Sequence, residues 1–332
     1  MLRLLRLLAF PISVIYGVVV HARNLLFDVG VFRSRSFDTP VVCVGNLSVG
    51  GTGKTPMIEF LVRLLGNHKI AILSRGYKRK SEGFVLAGPE HTVHDLGDEP
   101  FQLHRKFMEV AVAVDADRQH GIAQLAKTVN PDLILLDDAF QHRKVRPHFS
   151  ILLTAYYTLY VDDWYLPTGN LRDSKREARR ADVIIVTKCP EHMTEEKREE
   201  ILNKLGPMPN QKVLFAHLGY DNAVKSSGPE QHLLEQLRGK NIALVTGIAR
   251  PEPLVRFLQS KGIDFQHFKF RDHHDFSDKD IASFKDFDMI LTTEKDYVRL
   301  MGRLDNLFYL EVAHRFAERD KRIMEERLKA LF

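Results

Sequence analysis

A glycine-rich run, Ser48-Val49-Gly50-Gly51-Thr52-Gly53-Lys54-Thr55, sits between two segments of opposite character and limits the possible folds more than any other feature. Before it, Val41-Val42-Cys43-Val44 reads as a buried strand; after it, Met57, Phe60, Leu61, Leu64 and Leu65 recur with helical spacing. Strand, glycine turn and helix in that order aim main-chain amides and the positive end of a helix at one anion. This is a phosphate loop of the Walker A kind. Gly50, Gly51 and Gly53 let N–H groups turn inward, Lys54 reaches β- and γ-phosphates, and the Thr55 hydroxyl suits Mg²⁺. The pattern asks for glycine at its first position, where this chain has Ser48.

Such a loop needs an acidic partner at the end of a neighbouring strand. Leu133-Ile134-Leu135-Leu136-Asp137-Asp138 has that form: one aspartate holds Mg²⁺ directly or through water, while the other positions a loop or a second metal. Further strands are expected at Ile70–Leu73, Val110–Val114, Ile151–Thr154 and Val183–Val186, alternating with helical stretches. That is the pattern of an α/β fold with a parallel sheet covered by helices on both faces. Cys189 to Gln211 reads as a polar helical stretch, and Gly206, Pro207 and Pro209 mark a boundary. A smaller α/β unit follows, with strands near Ile242–Thr246, Phe265–Phe270 and Met289–Thr292, then an amphipathic helix from Arg315 to Leu331. The expected division is an amino-terminal apolar helix (1–30), a P-loop core domain (31–208), a smaller α/β domain (209–312) and a carboxyl-terminal helix packing back on the core (313–332).

Composition narrows the class. With 44% hydrophobic and 27% charged residues over 332 positions, the chain is neither disordered nor collagenous nor a polytopic membrane protein. A net charge of +5 is too mild to imply nucleic-acid binding. Two distant cysteines, Cys43 and Cys189, exclude a disulfide scaffold and a four-cysteine zinc module.

The amino terminus departs from this average. An apolar stretch from Leu7 to Val20 is flanked by Arg3 and Arg6 before it and by His21 and Arg23 after it, and Pro11 interrupts its first half. It is short for a spanning helix and lacks a small-x-small cleavage site. Two readings remain in front: a helix lying in the membrane interface with its arginines against anionic headgroups, or a hydrophobic helix packed on the core.

The longer string Gly45-Asn46-Leu47 through Lys54-Thr55-Pro56 resembles the signature of the tetraacyldisaccharide 4'-kinases, the lipid A kinases. Four more segments agree in the family's order: Gly97-Asp98-Glu99-Pro100; Asp137-Asp138-Ala139-Phe140-Gln141-His142-Arg143; Leu166-Pro167-Thr168-Gly169-Asn170-Leu171-Arg172-Asp173; and Asp272-His273 with Thr293-Glu294-Lys295-Asp296. Ala139 stands where the family usually has glycine, and Asp173 where it usually has glutamate.

The resemblance implies Mg²⁺-assisted transfer of the ATP γ-phosphate to the 4'-hydroxyl of a tetraacylated glucosamine disaccharide 1-phosphate, giving lipid IVA. It also implies attachment at the cytoplasmic face of the bacterial inner membrane, without nucleic acid or an obligate protein partner. ATP falls to residues 48–55; the metal to Thr55 with Asp137, Asp138 and Asp173; and the acceptor side to Arg75, Arg118, Gln141, His142, Arg143 and Arg172. Asp98 is the implied base and His273 its implied partner, although His274 is adjacent and the chain holds 15 histidines. Arg75, Lys78, Arg79 and Lys80, with Arg172, Lys175, Arg176, Arg179 and Arg180, offer a basic rim. Tyr156, Tyr157, Tyr160, Trp164 and Tyr165 offer either an aromatic belt or core packing.

Other P-loop functions fit less well. A guanine-specific switch wants Asn/Thr-Lys-x-Asp, and in Thr187-Lys188-Cys189-Pro190 a proline takes the aspartate position. A partitioning-type ATPase carries lysine where Val49 stands. The remaining alternative among enzymes is a P-loop kinase acting on another amphipathic sugar or small acid.

Overall fold

The computed structural model describes residues 6–226, 228 and 230–332; Arg3, one of the flanking charges, lies outside them. Thirteen strands form one sheet: β1 Val41–Asn46, β2 Ile70–Ser74, β3 Val85–Leu86, β4 Ala111–Val114, β5 Leu133–Asp137, β6 Phe149–Ala155, β7 Val183–Thr187, β8 Lys212–Lys225, β9 Gln231–Leu233, β10 Ile242–Thr246, β11 Gln266–Lys269, β12 Met289–Thr293 and β13 Leu307–Phe316. They lie in the order β11-β10-β12-β13-β8-β7-β6-β1-β5-β2-β4-β3, with β9 beside β8. Neighbours run parallel except at β3·β4, β8·β9 and β13·β8.

β1, β5, β6 and β7 are buried along their whole length, so their near-continuous apolar runs follow from helices covering both faces. Alternate residues serve opposite cores: Val41 and Cys43 pack with Ile134, Leu136 and Ile184, whereas Val42 and Val44 pack with Leu135, Ile151 and Ile185. β10 and β12 carry separate cores, one around Leu244, Leu258 and Leu291 and one around Val245, Phe284 and Ile290.

β8 joins the two parts of the sheet. Its first residues, Lys212 to Phe215, run parallel to β7, and Ala216 onward runs antiparallel to β13. The sequence reading did not anticipate this strand, nor β3, β9 and β13. The alternating polar residues His217, Asp221 and Lys225 hide β8, and Glu311, His314 and Arg315 do the same for β13. The closing helix is accordingly shorter than expected, Glu318–Lys329, because Arg315 and Phe316 still pair in β13; its Met324 and Leu328 are buried against the β1 side of the core.

The amino-terminal helix spans Phe10–Asp28 with Pro11 in its first turn, where a missing N–H is harmless; residues 6–8 are helical too, and the break at Ala9 is the interruption expected of the proline. Its polarity is inverted. Ser13, Gly17, Val20 and Asn24 face inward at spacings of four, three and four, while Ile12 (58% exposed), Ile15 (65%), Val18 and Val19 face outward. A core helix would do the opposite. Ser13 donates to Thr168 Oγ1 at 2.7 Å, Tyr16 to the Arg172 carbonyl at 3.1 Å, and Arg6 to the carbonyls of Pro167 and Gly169. Gly17 is needed because a Cβ there would stand 2.9 Å from the Tyr165 ring. The aromatic cluster divides: Tyr160 is buried, whereas Tyr157 and Trp164 are exposed, Trp164 edge-on to Phe10 at 5.5 Å.

Candidate active site

β1 is the strand at which the sheet order reverses, with β5 on one side and β6 on the other, and the crevice beyond its carboxyl end is where such sheets bind ligands. The loop after β1 turns at Gly50 (φ 119°) and Gly53 (φ 85°) and enters the helix Lys54–Leu64. The 163–173 segment braces it: Val49 N–H donates to the Asn170 carbonyl at 2.7 Å, and Arg172 N–H to Leu47 at 2.9 Å. Ser48 Oγ and Thr52 Oγ1 are buried without a hydrogen-bond partner among the described residues.

Register places the acidic pair. Val44 is opposite Asp137, so β5 delivers its terminal carboxylate beside the loop, and Asp138 (φ 48°) turns the chain away. Asp137 receives one bond, from Ser74 Oγ at 3.1 Å, while its buried Oδ1 has none. Burial, and secondly the Asp138 carboxylate, push its pKa up to about 6. For Asp138, burial acts upward, but Lys54 and Arg172 outweigh it and hold the carboxyl below its ordinary value. Lys54 Nζ lies 3.6 Å from Asp138 Oδ1 and 3.4 Å from Asn46 Oδ1; Arg172 forks onto both Asp138 oxygens and also bonds Asn46. Inward amides, a lysine, unpartnered hydroxyls and a buried carboxylate oxygen together fit a phosphate chain with its divalent ion.

A second cluster adjoins this one through β2. Beyond Ser74, Gly76 and Tyr77 pass over Gly97 (φ 89°), where a Cβ would meet the Tyr77 carbonyl at 2.9 Å. Asp98 opens the next helix, Asp98–Lys106, and is 4% exposed. His273 Nδ1 lies 2.7 Å from Asp98 Oδ2. On the far side, Lys295 Nζ lies 3.0 Å from His273 Nε2; an ammonium only donates, so Nε2 accepts and Nδ1 carries the proton to Asp98. Burial opposes ionisation of Asp98, but hydrogen bonds from His273 and Arg299 outweigh it and lower its pKa. His273 holds a left-handed backbone, φ 58°. His274 points elsewhere, stacking on Phe270 and meeting Asp280 at 3.1 Å.

Three of the residues expected at the acceptor side, Gln141, His142 and Arg143, line one cavity beside the amino-terminal helix. Gln141 donates to the Asn46 carbonyl at 2.8 Å, and His142 is driven by burial, then by Arg118, to about 4, so it is neutral. Arg118 is buried, held to the Asp115 carbonyl at 3.0 Å, with Nε unpartnered. Arg75 is exposed, without an ion-pair partner among the described residues. Arg143 also ties this cavity to the amino-terminal helix, through the Asn24 carbonyl at 3.0 Å and Asp28 at 2.5 Å. One expectation needs correcting. Asp173 is not gathered with Asp137 and Asp138. It is fully enclosed, and its oxygens accept from Arg23 at 3.0 Å, Asn24 at 2.8 Å and the Ser174 amide at 2.8 Å, so it anchors the helix instead of offering lone pairs to a metal.

Arg299, Lys295 and Asn46 were missed as site residues. Within the Thr293-Glu294-Lys295-Asp296 match, Lys295 lies four residues before Arg299, and that helical spacing was the signal for it.

Residues 5–331 match the family model described as tetraacyldisaccharide-1-P 4'-kinase. A tetraacyldisaccharide 4'-kinase of Flavobacterium johnsoniae is 49% identical over 323 residues, covering 95% of this chain and 94% of the relative. That of Bacteroides thetaiotaomicron is 46% identical over 312 residues, covering 88% and 82%. The crystal structure of LpxK from Aquifex aeolicus in complex with ATP superposes with a TM-score of 0.83 at 29% identity, covering 99% of each chain. With residues 5–331 matching the family model and a relative 49% identical across 95% of the chain, the chain belongs to the tetraacyldisaccharide 4'-kinase family.

Proposed function

We propose that this chain transfers the γ-phosphate of ATP to the 4'-hydroxyl of tetraacyldisaccharide 1-phosphate, forming lipid IVA at the cytoplasmic face of the inner membrane. The observation that carries the reading is the convergence of Lys54, Asp137 and the Asp98–His273 pair at the carboxyl ends of β1, β5 and β2, linked through Ser74 and Gly97. The loop amides and Lys54 would hold the phosphates, and Asp137 and Thr55 would hold Mg²⁺, with Asp138 orienting Lys54 and Arg172. When bound, Mg²⁺ neutralises charge on the transferring group.

A sugar alcohol needs a proton acceptor during attack. Asp98 is ionised and keeps one lone pair, on Oδ1, beyond those that His273 and Arg299 engage, so it takes the hydroxyl proton, while His273 and Arg299 fix its plane. Arg118, Gln141, His142, Arg172 and Arg75 bind the acceptor headgroup. The outward aliphatic face of Phe10–Asp28 enters the bilayer interface beside Trp164, which sets the height of the cleft above the acyl chains. Residues 31–208 and 209–312 act as two domains, and their closure brings His273 onto Asp98.

Labelled ATP with purified disaccharide monophosphate in detergent micelles tests the reading. Label should pass to the glycolipid in wild type, and Asp98→Asn or His273→Ala should lower kcat by about 10²-fold or more. Rates within about threefold of wild type would remove the pair from the chemistry.

A further inference from the structure

Two consecutive carbonyls of the phosphate loop are pinned from behind by side chains of different parts of the chain. Thr187 Oγ1, at the end of β7, donates to the Thr52 carbonyl at 2.8 Å. His314 Nε2, on β13, lies 2.9 Å from the Gly53 carbonyl. A carbonyl only accepts, so the His314 ring is the Nε2–H tautomer; its other nitrogen, Nδ1, is buried without a partner. Burial drives the imidazole pKa down to about 4, which keeps it neutral at physiological pH.

In a trans peptide the C=O and N–H point in opposite directions. Holding the Thr52 and Gly53 carbonyls outward therefore aims the next two amides, those of Gly53 and Lys54, into the concavity of the loop. The ring also packs on the glycine itself: a Cβ at Gly53 would stand 2.7 Å from Nε2. Met57 N–H shares the Gly53 carbonyl at 3.1 Å, so the helix start alone already places one bond there, and His314 adds a second from another element. β13 pairs with β12, whose end leads directly into the helix bearing Lys295 and Arg299. One piece of sheet thus positions both the Asp98–His273 pair and the back of the cradle.

We propose that His314 is a positioning residue for nucleotide binding: it sets the plane of the Gly53–Lys54 peptide, so that ATP affinity depends on β13 being docked behind the loop. The inference rests on the reading of that loop as the ATP cradle.

The test is calorimetric titration of Mg·ATP into full-length protein, with initial rates across ATP concentration. His314→Phe keeps the ring volume and deletes the donor. It should raise the dissociation constant and the KM for ATP about three- to tenfold, the worth of one net hydrogen bond, with kcat at saturating ATP within about twofold. His314→Gln, whose amide reaches the same carbonyl, should restore affinity to within about twofold. Should His314→Phe fail to fold, His314→Gln against the shorter His314→Asn decides: only the former should bind as wild type does. Unchanged affinity in His314→Phe, or equal loss in His314→Gln, would overturn the role. Wild type that does not bind Mg·ATP at all would instead overturn the cradle.

Discussion

Arg299 grips Asp98 with two hydrogen bonds, Nε to Oδ1 at 2.8 Å and a terminal nitrogen to Oδ2 at 2.9 Å, across 201 residues of sequence. The same guanidinium donates to the carbonyls of His273 and His274 at 3.2 and 2.9 Å, and so fixes both members of the pair at once.

Removing that fork should free the carboxylate plane and raise the Asp98 pKa, because a cation favouring its charged form is gone. Arg299→Ala should lower kcat/KM at least tenfold, on the order of the positioning losses seen for misplaced bases. Arg299→Lys should recover part of the rate, since an ammonium cannot span both oxygens. A pH–rate profile checks the sign: the acid limb should move to higher pH in Arg299→Ala.

The outward face of the amino-terminal helix should be separable from the chemistry. Replacing Ile15, Val18 and Val19 by aspartate leaves the inward contacts of Ser13, Gly17 and Asn24 untouched. Co-sedimentation with anionic vesicles should fall to background, while Mg·ATP affinity stays within about twofold. Point substitution is preferable to truncation, which would strip Asp173 of both Arg23 and Asn24.

Arg23→Ala should destabilise by about 1–3 kcal/mol, because the enclosed Asp173 carboxylate loses its cation. Adding Asp173→Asn should return part of that loss. Thermal melts of the two variants and the double mutant give the coupling directly.

Lys106 bridges the two parts of the sheet, meeting Glu59 at 2.6 Å, Glu294 at 2.5 Å and Glu311 at 2.9 Å. Burial, then Glu59, pushes Glu294 up to about 8. The folded chain therefore keeps a proton that the unfolded chain releases near about 4.3. Raising pH from 5 to 8 should cost stability through this group. Glu294→Gln should flatten that slope in denaturant titrations, and an unchanged slope would rule the group out.

Gly45→Ala should be destabilising by about 1–3 kcal/mol, since its Cβ would stand 2.6 Å from Phe140 Cβ and 2.9 Å from the Phe140 amide. A chemical denaturation midpoint is sufficient to see it.

Several elements were legible because they depend on neighbours along the chain. The loop 48–55, the helix that follows it and the strand ending at Asp137 follow from spacing, glycine placement and apolar runs. β8 and β13 were not, because each is half-exposed and carries charged residues that pair only once the strands meet. Residue type and order alone determined that a phosphate loop would open a helix beside an acidic strand end. Tertiary structure decided that His273 rather than His274 meets Asp98, that Arg299 holds it, that Asp173 serves the amino-terminal helix, and that His314 stands behind Gly53. Those contacts join residues 150 to 261 positions apart, and only sheet register and packing bring such partners within reach.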